Sequence, residues 1–325
     1  MAESGYKINE AIGGYFSLEL PYKEEYHKDA IHLNTGRNCL EYILRSRNYK
    51  KVHIPYYTCD AILEPFKKLG IDYSFYHIDL NLELAEDIQL DVDEALLYTN
   101  YFGLKQSYVK LLAAKYEQHL IVDNTQAFFA SHIEGIDTFY TCRKFFGVPD
   151  GAYLYTDKKL DMILERDTSY GRMSHLLKRI DLCAEEGFQD FKIADCSLSG
   201  QPIRQMSRLT ERIMESIDYG EVIKRRRKNF LCLENNLGSS NLIKLRLDEI
   251  SVPMVYPYLS YNKKLRTILQ QNRIYTAKYW QNVQEWCEYC DIEYYLTESM
   301  VFLPIDQRYN EEYMSFLIQT IEIDQ

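Results

Sequence analysis

The chain has 325 residues and 46% of them are hydrophobic, so it is long enough for a substantial core and for more than one domain. Its 48 acidic residues outnumber the 38 basic ones, which gives a formal net charge of −10. This acidic balance argues against broad binding to nucleic acid or to an anionic membrane, although a few local donors can still form a phosphate pocket.

The eight cysteines show no framework spacing, and residues 1–15 contain no apolar signal core. No stretch approaches the length of a membrane span. The sequence therefore predicts a soluble, cytoplasmic protein with reduced thiols. Cys287 and Cys290 form the single CxxC pair, and zinc would need two further ligands. We expect no metal site here, but two half-buried thiols on a helix that also carries Trp280 and Trp286.

Strands and helices alternate through the first half of the chain, a pattern typical of a mostly parallel sheet. Apolar residues at helical spacing follow Thr35-Gly36 and predict the first helix. The elements predicted after it are strands over 52–55, 73–78, 95–99, 120–123, 138–141 and 152–156, and helices over 60–69 and 106–117.

The second half begins with a mainly helical region, residues 160–237. It includes the basic run 224–228, which we interpret as a solvated helix face. An alternation of strands and helices then returns, with strands predicted over 251–256 and 299–303 and a closing helix over 310–322.

Three segments carry residues suited to chemistry. The first is the turn Thr35-Gly36-Arg37-Asn38, which opens the first predicted helix. Backbone N–H groups at a helix start can bind a phosphate, glycine permits close approach of the anion, and Arg37 can add charge. An ordinary turn with a helix cap is the alternative interpretation.

The second segment places Asp123 at the carboxyl end of a predicted core strand, followed by Gln126. Doubly wound sheets bind ligands at this edge. In enzymes that use pyridoxal phosphate (PLP), such an acid keeps the pyridine nitrogen protonated. Asp123 alone could equally cap the next helix.

The third segment contains Lys144, which lies between two predicted strands and precedes a Phe-Phe-Gly turn. Aromatic surroundings lower the pKa of a lysine and favour its attack on a carbonyl carbon. A lone lysine is usually a solvated charge, but the order and separation of the three segments favour a functional amine.

Taken together, these segments resemble the DegT/StrS-type aminotransferases, the sugar aminotransferase branch of the aspartate-aminotransferase-like fold. The resemblance runs over most of the chain, and its most specific part is the pairing of Asp-x-x-Gln-Ala with a lysine. The segments that carry it are Thr35-Gly36 with Leu40, Pro55 with Thr58, Tyr101-Phe102-Gly103, Asp123-Asn124-Thr125-Gln126-Ala127, Arg143-Lys144-Phe145-Phe146-Gly147 with Asp150-Gly151, and Ser207-Arg208-Leu209-Thr210-Glu211.

The resemblance implies an α/β fold with a mostly parallel central sheet of the PLP-dependent transferase type. It also implies a large PLP-binding domain, residues 1–240, and a smaller C-terminal α/β domain, residues 241–325. PLP would be the cofactor, an amino acid the donor and a small keto compound the acceptor. The roles implied for matched positions are covalent attachment of PLP and proton transfer by Lys144, pairing with the pyridine nitrogen by Asp123, contact with the ring hydroxyl by Gln126, and phosphate binding by Gly36, Arg37 and Asn38.

The chain departs from the family pattern at several of these positions. Cys59 stands where the family has an aromatic that stacks on the cofactor ring, so Tyr57 is expected to take that task. The family's phosphate-binding serine falls on Phe139, which leaves Thr138 and Thr141 as the nearby hydroxyl candidates.

Two further positions depart from the family pattern. Phe128 replaces the histidine after Gln-Ala, and Met206 replaces an asparagine that reaches across a two-fold dimer to the phosphate. We expect a homodimer in which Ser207, or a residue of the unfamiliar insert 170–199, replaces the lost ligand and Arg208 lies nearby.

The leading functional hypothesis is therefore a PLP-dependent aminotransferase, with a nucleotide-linked keto sugar as one possible acceptor. A PLP-dependent lyase or isomerase is a second interpretation. The family's sugar dehydratases replace the lysine with histidine, so the retained Lys144 argues against that variant. A third is a degenerate member that binds PLP or a sugar nucleotide without catalysis. A Rossmann oxidoreductase is disfavoured, because no GxGxxG follows a strand.

Overall fold

The computed structural model describes residues 12–322. The expectation that residues 1–15 contain no signal core therefore lies mostly outside the described residues. Within residues 12–322, no helix is both long enough and apolar enough to cross a membrane.

A seven-stranded sheet forms the centre of the molecule. Its strands are β1 (Ile31–Leu33), β2 (Lys51–Pro55), β3 (Asp72–Tyr76), β4 (Glu94–Thr99), β5 (Leu120–Asp123), β6 (Asp137–Thr141) and β7 (Ala152–Tyr155). They lie in the order β1-β7-β6-β5-β4-β2-β3. Strands β2 to β6 run parallel to one another, whereas β7 is antiparallel to both β6 and β1. The predicted mostly parallel sheet is confirmed.

Both faces of this sheet are buried, as the alternation along β4 illustrates. Ala95 and Leu97 pack with the helices of one face, whereas Leu96 and Tyr98 belong to the core of the other face. Such double burial is typical of parallel sheets with helices on each side. The helices up to residue 237 are α1 (Gly36–Ser46), α2 (Leu63–Leu69), α3 (Gln106–Tyr116), α4 (Ser174–Asp181), α5 (Ala184–Cys196), α6 (Arg208–Met214) and α7 (Tyr219–Leu237).

The C-terminal elements surround a small antiparallel sheet of two strands, β8 (Tyr256–Leu259) and β9 (Met300–Leu303). Their helices are α8 (Leu265–Gln271), α9 (Val283–Trp286), α10 (Ile292–Ser299) and α11 (Glu311–Glu322). Helix α11 packs against α7 and α8, and the core on the α3 side of the large sheet continues into these elements. The division at residue 240 stays a prediction.

Three local predictions are wrong. The strand predicted over 251–256 lies at β8 instead, because the chain before it hydrogen-bonds to other elements: the Met254 N–H donates to the Phe102 carbonyl. Cys287 lies at the C-terminal cap of α9 rather than within a helix, and Cys290 is exposed. The basic run 224–228 is not uniformly solvated, because the Arg226 side chain is buried.

Candidate functional site

The three segments singled out in the sequence meet at one edge of the sheet, where the start of α1 touches the ends of the neighbouring strands. A Cβ added at Gly36 would lie 2.7 Å from Cγ2 of Thr141 and 3.5 Å from Cγ2 of Thr125. A side chain at position 36 would force Thr141 to shift, so glycine suits this close approach. Thr35 caps the helix by accepting a hydrogen bond from the Asn38 N–H at 3.1 Å.

Asp123, Thr125 and Lys144 form the centre of this site. The Thr125 N–H donates to Oδ1 of Asp123 at 2.8 Å, and Nζ of the exposed Lys144 donates to Oγ1 of Thr125 at 3.5 Å. Burial raises the pKa of Asp123, while the charge of Lys144 and the hydrogen bonds from Thr125 oppose that rise. Acid and amine are therefore close enough to interact electrostatically. Thr125 was not assigned a role from the sequence, although it stands inside the matched Asp-x-x-Gln motif.

Gln126 contributes a buried donor without a partner. Its side chain is fully buried, and Oε1 accepts a hydrogen bond from the Phe102 N–H at 3.1 Å. Its Nε2 has no hydrogen-bond partner among the described residues. An unsatisfied buried amide is costly, so a bound molecule that supplies an acceptor here would be stabilised.

The side chains of Arg37 and Asn38 face away from this centre. Arg37 lies 3.4 Å from the carboxylate of Glu64, and Asn38 donates to the Pro202 carbonyl at 2.8 Å. The Asn38 N–H is already taken by Thr35, so the N–H groups of Gly36 and Arg37 are the donors left at the helix start. The phosphate-binding roles of these three residues stay predictions.

Tyr57 lies deep in the core, where its ring packs edge-on against Trp280 with centroids 4.5 Å apart. Burial raises the pKa of the Cys59 thiol, and the positive charge of Lys144 opposes that rise. The ring-stacking role of Tyr57 stays a prediction.

The residues that replace family ligands are structural. Phe128, Phe139 and Met206 are all buried within the core. Ser207 is also buried, and its Oγ donates to the Asp150 carboxylate at 2.8 Å. The Ser207 hydroxyl is therefore engaged within its own chain, and its expected role towards a partner subunit stays a prediction.

Comparison with solved structures shows proteins of the same fold. No family model and no curated protein matches the chain. Among solved structures it is similar to a DegT DnrJ EryC1 StrS aminotransferase from Brucella abortus, with 14% identity over 91% of this chain and 85% of that chain and a TM-score of 0.58. The sugar aminotransferase CalS13 from Micromonospora echinospora shares 12% identity over 91% and 87% of the two chains, with a TM-score of 0.59.

A third similar structure is Spr1654 from Streptococcus pneumoniae in its PLP form, with 12% identity over 91% of this chain and 88% of that chain and a TM-score of 0.59. The chain therefore has the fold of the DegT/StrS-type aminotransferases, as its motifs predicted. Among the described residues, no three histidine, cysteine or acidic side chains cluster in the way that a metal site requires.

Proposed function

We propose that this protein is a PLP-dependent aminotransferase that moves an amino group from an amino acid donor to a keto acceptor. The observation that carries the proposal is the contact of Lys144 with Thr125, which also binds the buried Asp123. An amine held beside a buried acid at the carboxyl edge of a parallel sheet matches the chemistry that PLP requires. The similar folds of named aminotransferases support the same assignment.

The residues present fit this cofactor. The N–H groups of Gly36 and Arg37 would bind the phosphate, and Thr141, whose Cγ2 faces Gly36, lies close by. The Asp123 carboxylate would pair with the pyridine nitrogen, and the positive charge there would in turn favour the ionised acid. The unpartnered Nε2 of Gln126 would donate to the ring hydroxyl. PLP supplies an electron sink and carries the amino group between the two half-reactions.

The protein's own part in the reaction centres on the Lys144 amine. It is exposed, so an incoming donor can reach it. As a neutral amine it would hold the cofactor covalently until the donor's amine displaces it, and the freed amine would then carry the proton from the donor's α-carbon to the cofactor. Thr125 would orient the amine between these steps, and Asp123 would hold the protonated pyridine nitrogen in place.

The acceptor class and the assembly are also proposals. Sugar aminotransferases are among the similar structures, so we propose a nucleotide-linked keto sugar as acceptor. We further propose a homodimer that works in the cytoplasm. Light scattering on the purified protein tests the dimer, and a screen of keto sugars against simple keto acids tests the acceptor.

A trapping experiment tests the central assignment. The protein is loaded with PLP, reduced with borohydride and mapped by mass spectrometry. The cofactor should be attached to Lys144, and Lys144→Arg should abolish the adduct, whereas the same change at the exposed Lys110 should not. An adduct on another lysine, or none, contradicts the proposal. A correct adduct without amino transfer from any donor would favour the degenerate binder.

A further inference from the structure

Arg226 is an unusual buried cation in the middle of α7. Its side chain is 1% exposed, and its guanidinium donates to the carbonyls of Met254 at 2.9 Å, Pro253 at 3.3 Å and Phe145 at 3.4 Å. The guanidinium also lies 4.5 Å from the centroid of the Phe145 ring. Phe145 directly follows Lys144, so one side chain links the lysine turn to the segment that leads into β8.

A second donor reinforces the same link. Gln307 accepts from Nε of Arg226 at 3.0 Å and donates to the Phe145 carbonyl at 2.8 Å. Burial lowers the pKa of Arg226 to about 10, and the charge of Arg308 lowers it further, whereas Asp306 and Tyr279 oppose the shift. A cation held in the core at this cost is strongly destabilising if its acceptors are lost.

The segment that Arg226 binds also leads to the second half of the site. The Met254 N–H donates to the Phe102 carbonyl at 2.8 Å. The Phe102 N–H then donates to Oε1 of Gln126 at 3.1 Å. A continuous set of hydrogen bonds therefore joins Arg226 to Gln126 on one side and to the turn of Lys144 on the other.

We propose that Arg226 is a positioning residue that fixes the Lys144 turn and Gln126 relative to each other by clamping residues 253–254 against Phe145. It touches neither the reacting amine nor the donor of Gln126, and it acts through their backbone neighbours. Its planar fork suits several carbonyls at once, which the single ammonium of a lysine does not. The effect on catalysis rests on the proposed function, whereas the clamp itself does not.

Hydrogen exchange on the full-length, cofactor-free protein tests the clamp. In Arg226→Gln, the amides of residues 142–151 should exchange on the order of tenfold faster. In the wild type, local opening must break the hydrogen bonds of the guanidinium, and the variant lacks that cost. Arg227→Gln is the matched control, since Arg227 donates to the carbonyls of Asp248 and Ser251 but not to Phe145. It should loosen residues 248–252 and leave residues 142–151 unchanged. Equal exchange over 142–151 in the two variants would overturn the proposal.

Loading with PLP provides the second measurement. Arg226→Gln should raise the PLP concentration for half-maximal borohydride trapping on the order of tenfold and shift the pH dependence of trapping. Arg227→Gln should change neither. If Arg226→Gln does not fold, Arg226→Lys replaces it, and wild-type exchange and trapping in that variant would refute the clamp. If the wild-type protein traps no PLP, the proposed function fails, and hydrogen exchange alone decides the clamp.

Discussion

Two buried aspartates on neighbouring strands have opposite surroundings. Asp137 on β6 is paired with Arg47 through two hydrogen bonds of 2.9 Å. Among residues 12–322, no such cation contacts Asp123 on β5, and burial raises the pKa of Asp123 even though Lys144 and Thr125 oppose the shift. The free protein therefore holds a carboxylate that its fold disfavours and that a bound cationic ring would stabilise.

Replacing Asp123 with asparagine should stabilise the cofactor-free protein and inactivate it. Because the folded pKa of Asp123 is raised, its contribution to stability is complete below the ordinary pKa of about 3.9 and is lost as pH rises through the folded value. The variant should therefore unfold at a higher temperature than wild type at pH 7, and the gain should shrink towards acid pH. Amino transfer should fall on the order of 10²-fold or more.

The matched control is Asp137→Asn, which should have the opposite effect on stability. It leaves Arg47, whose side chain is 9% exposed, without its bidentate partner. Breaking such a buried pair costs about 3 kcal/mol. Thermal unfolding of the two variants at several pH values compares them directly. A destabilised Asp123→Asn at neutral pH would contradict the assigned electrostatics.

The sequence predicted those elements whose signals are local. The spacing of apolar residues predicted helix α1, and the short apolar run that ends at Asp123 predicted strand β5. Strand β1 was missed because it has three residues and its partner β7 is more than 100 residues away. Arg226 was misjudged as solvated because its neighbours in the basic run are charged, although it falls four residues after Val222 and four before Phe230 on the buried face of α7.

The candidate site was predictable to a similar degree. Asp123, Gln126 and Lys144 could be found because a motif fixes their order. Thr125 contacts both the acid and the amine because the ends of β5 and β6 lie side by side in the sheet. The spacing of residues along the sequence does not predict the distance between Thr125 and Lys144. The same holds for Ser207, because the sequence does not show that its hydroxyl donates to Asp150 in the folded protein.

Gly103 joins the large sheet to the C-terminal segment and is expected to be sensitive to substitution. Its φ is +73°, and an added Cβ would lie 2.6 Å from the Val252 carbonyl oxygen and 3.3 Å from that of Gln126. Alanine there would be strained in its backbone and would also push residue 252 away. Gly103→Ala should destabilise the protein by about 3 kcal/mol and weaken PLP trapping.

Gly135→Ala separates the cost of backbone strain from the cost of the contact with Val252. Gly135 has a similar φ of +80°, but an added Cβ would meet none of the described atoms within 4 Å. This control therefore carries the backbone strain alone, and it should cost about 1 kcal/mol with trapping unchanged. Urea unfolding gives both free energies. Equal costs in the two variants would show that the contact with Val252 is unimportant.

At the scale of the whole molecule, the hairpin of α4 and α5 connects the lysine turn to the C-terminal elements. Arg143, next to Lys144, donates to Asp195 of α5 at 2.8 Å. At the other end of α5, Glu185 accepts from Arg273 at 3.0 Å and from the Tyr275 hydroxyl at 2.6 Å. The hairpin thus packs near the site, yet it exposes several large apolar side chains, namely Leu177, Ile180, Leu182, Phe188 and Ile193.

Exposed apolar groups of this kind are typical of protein interfaces, and the hairpin lies within the insert expected to approach the partner's cofactor. If the proposed homodimer uses this surface, Ile180→Glu should shift the protein towards monomer and raise the PLP concentration needed for trapping. Ile180 is 80% exposed, so the change should leave the unfolding temperature of the monomer nearly unchanged.

Leu111→Glu is the matched control, because Leu111 is 67% exposed on α3, outside the hairpin. It should remain dimeric and bind PLP as the wild type does. Light scattering across a range of protein concentrations distinguishes the two variants, since a charge buried in an isologous interface acts twice and costs several kcal/mol. A wild-type monomer that binds PLP tightly would refute the shared site, and a dimeric Ile180→Glu would place the interface elsewhere.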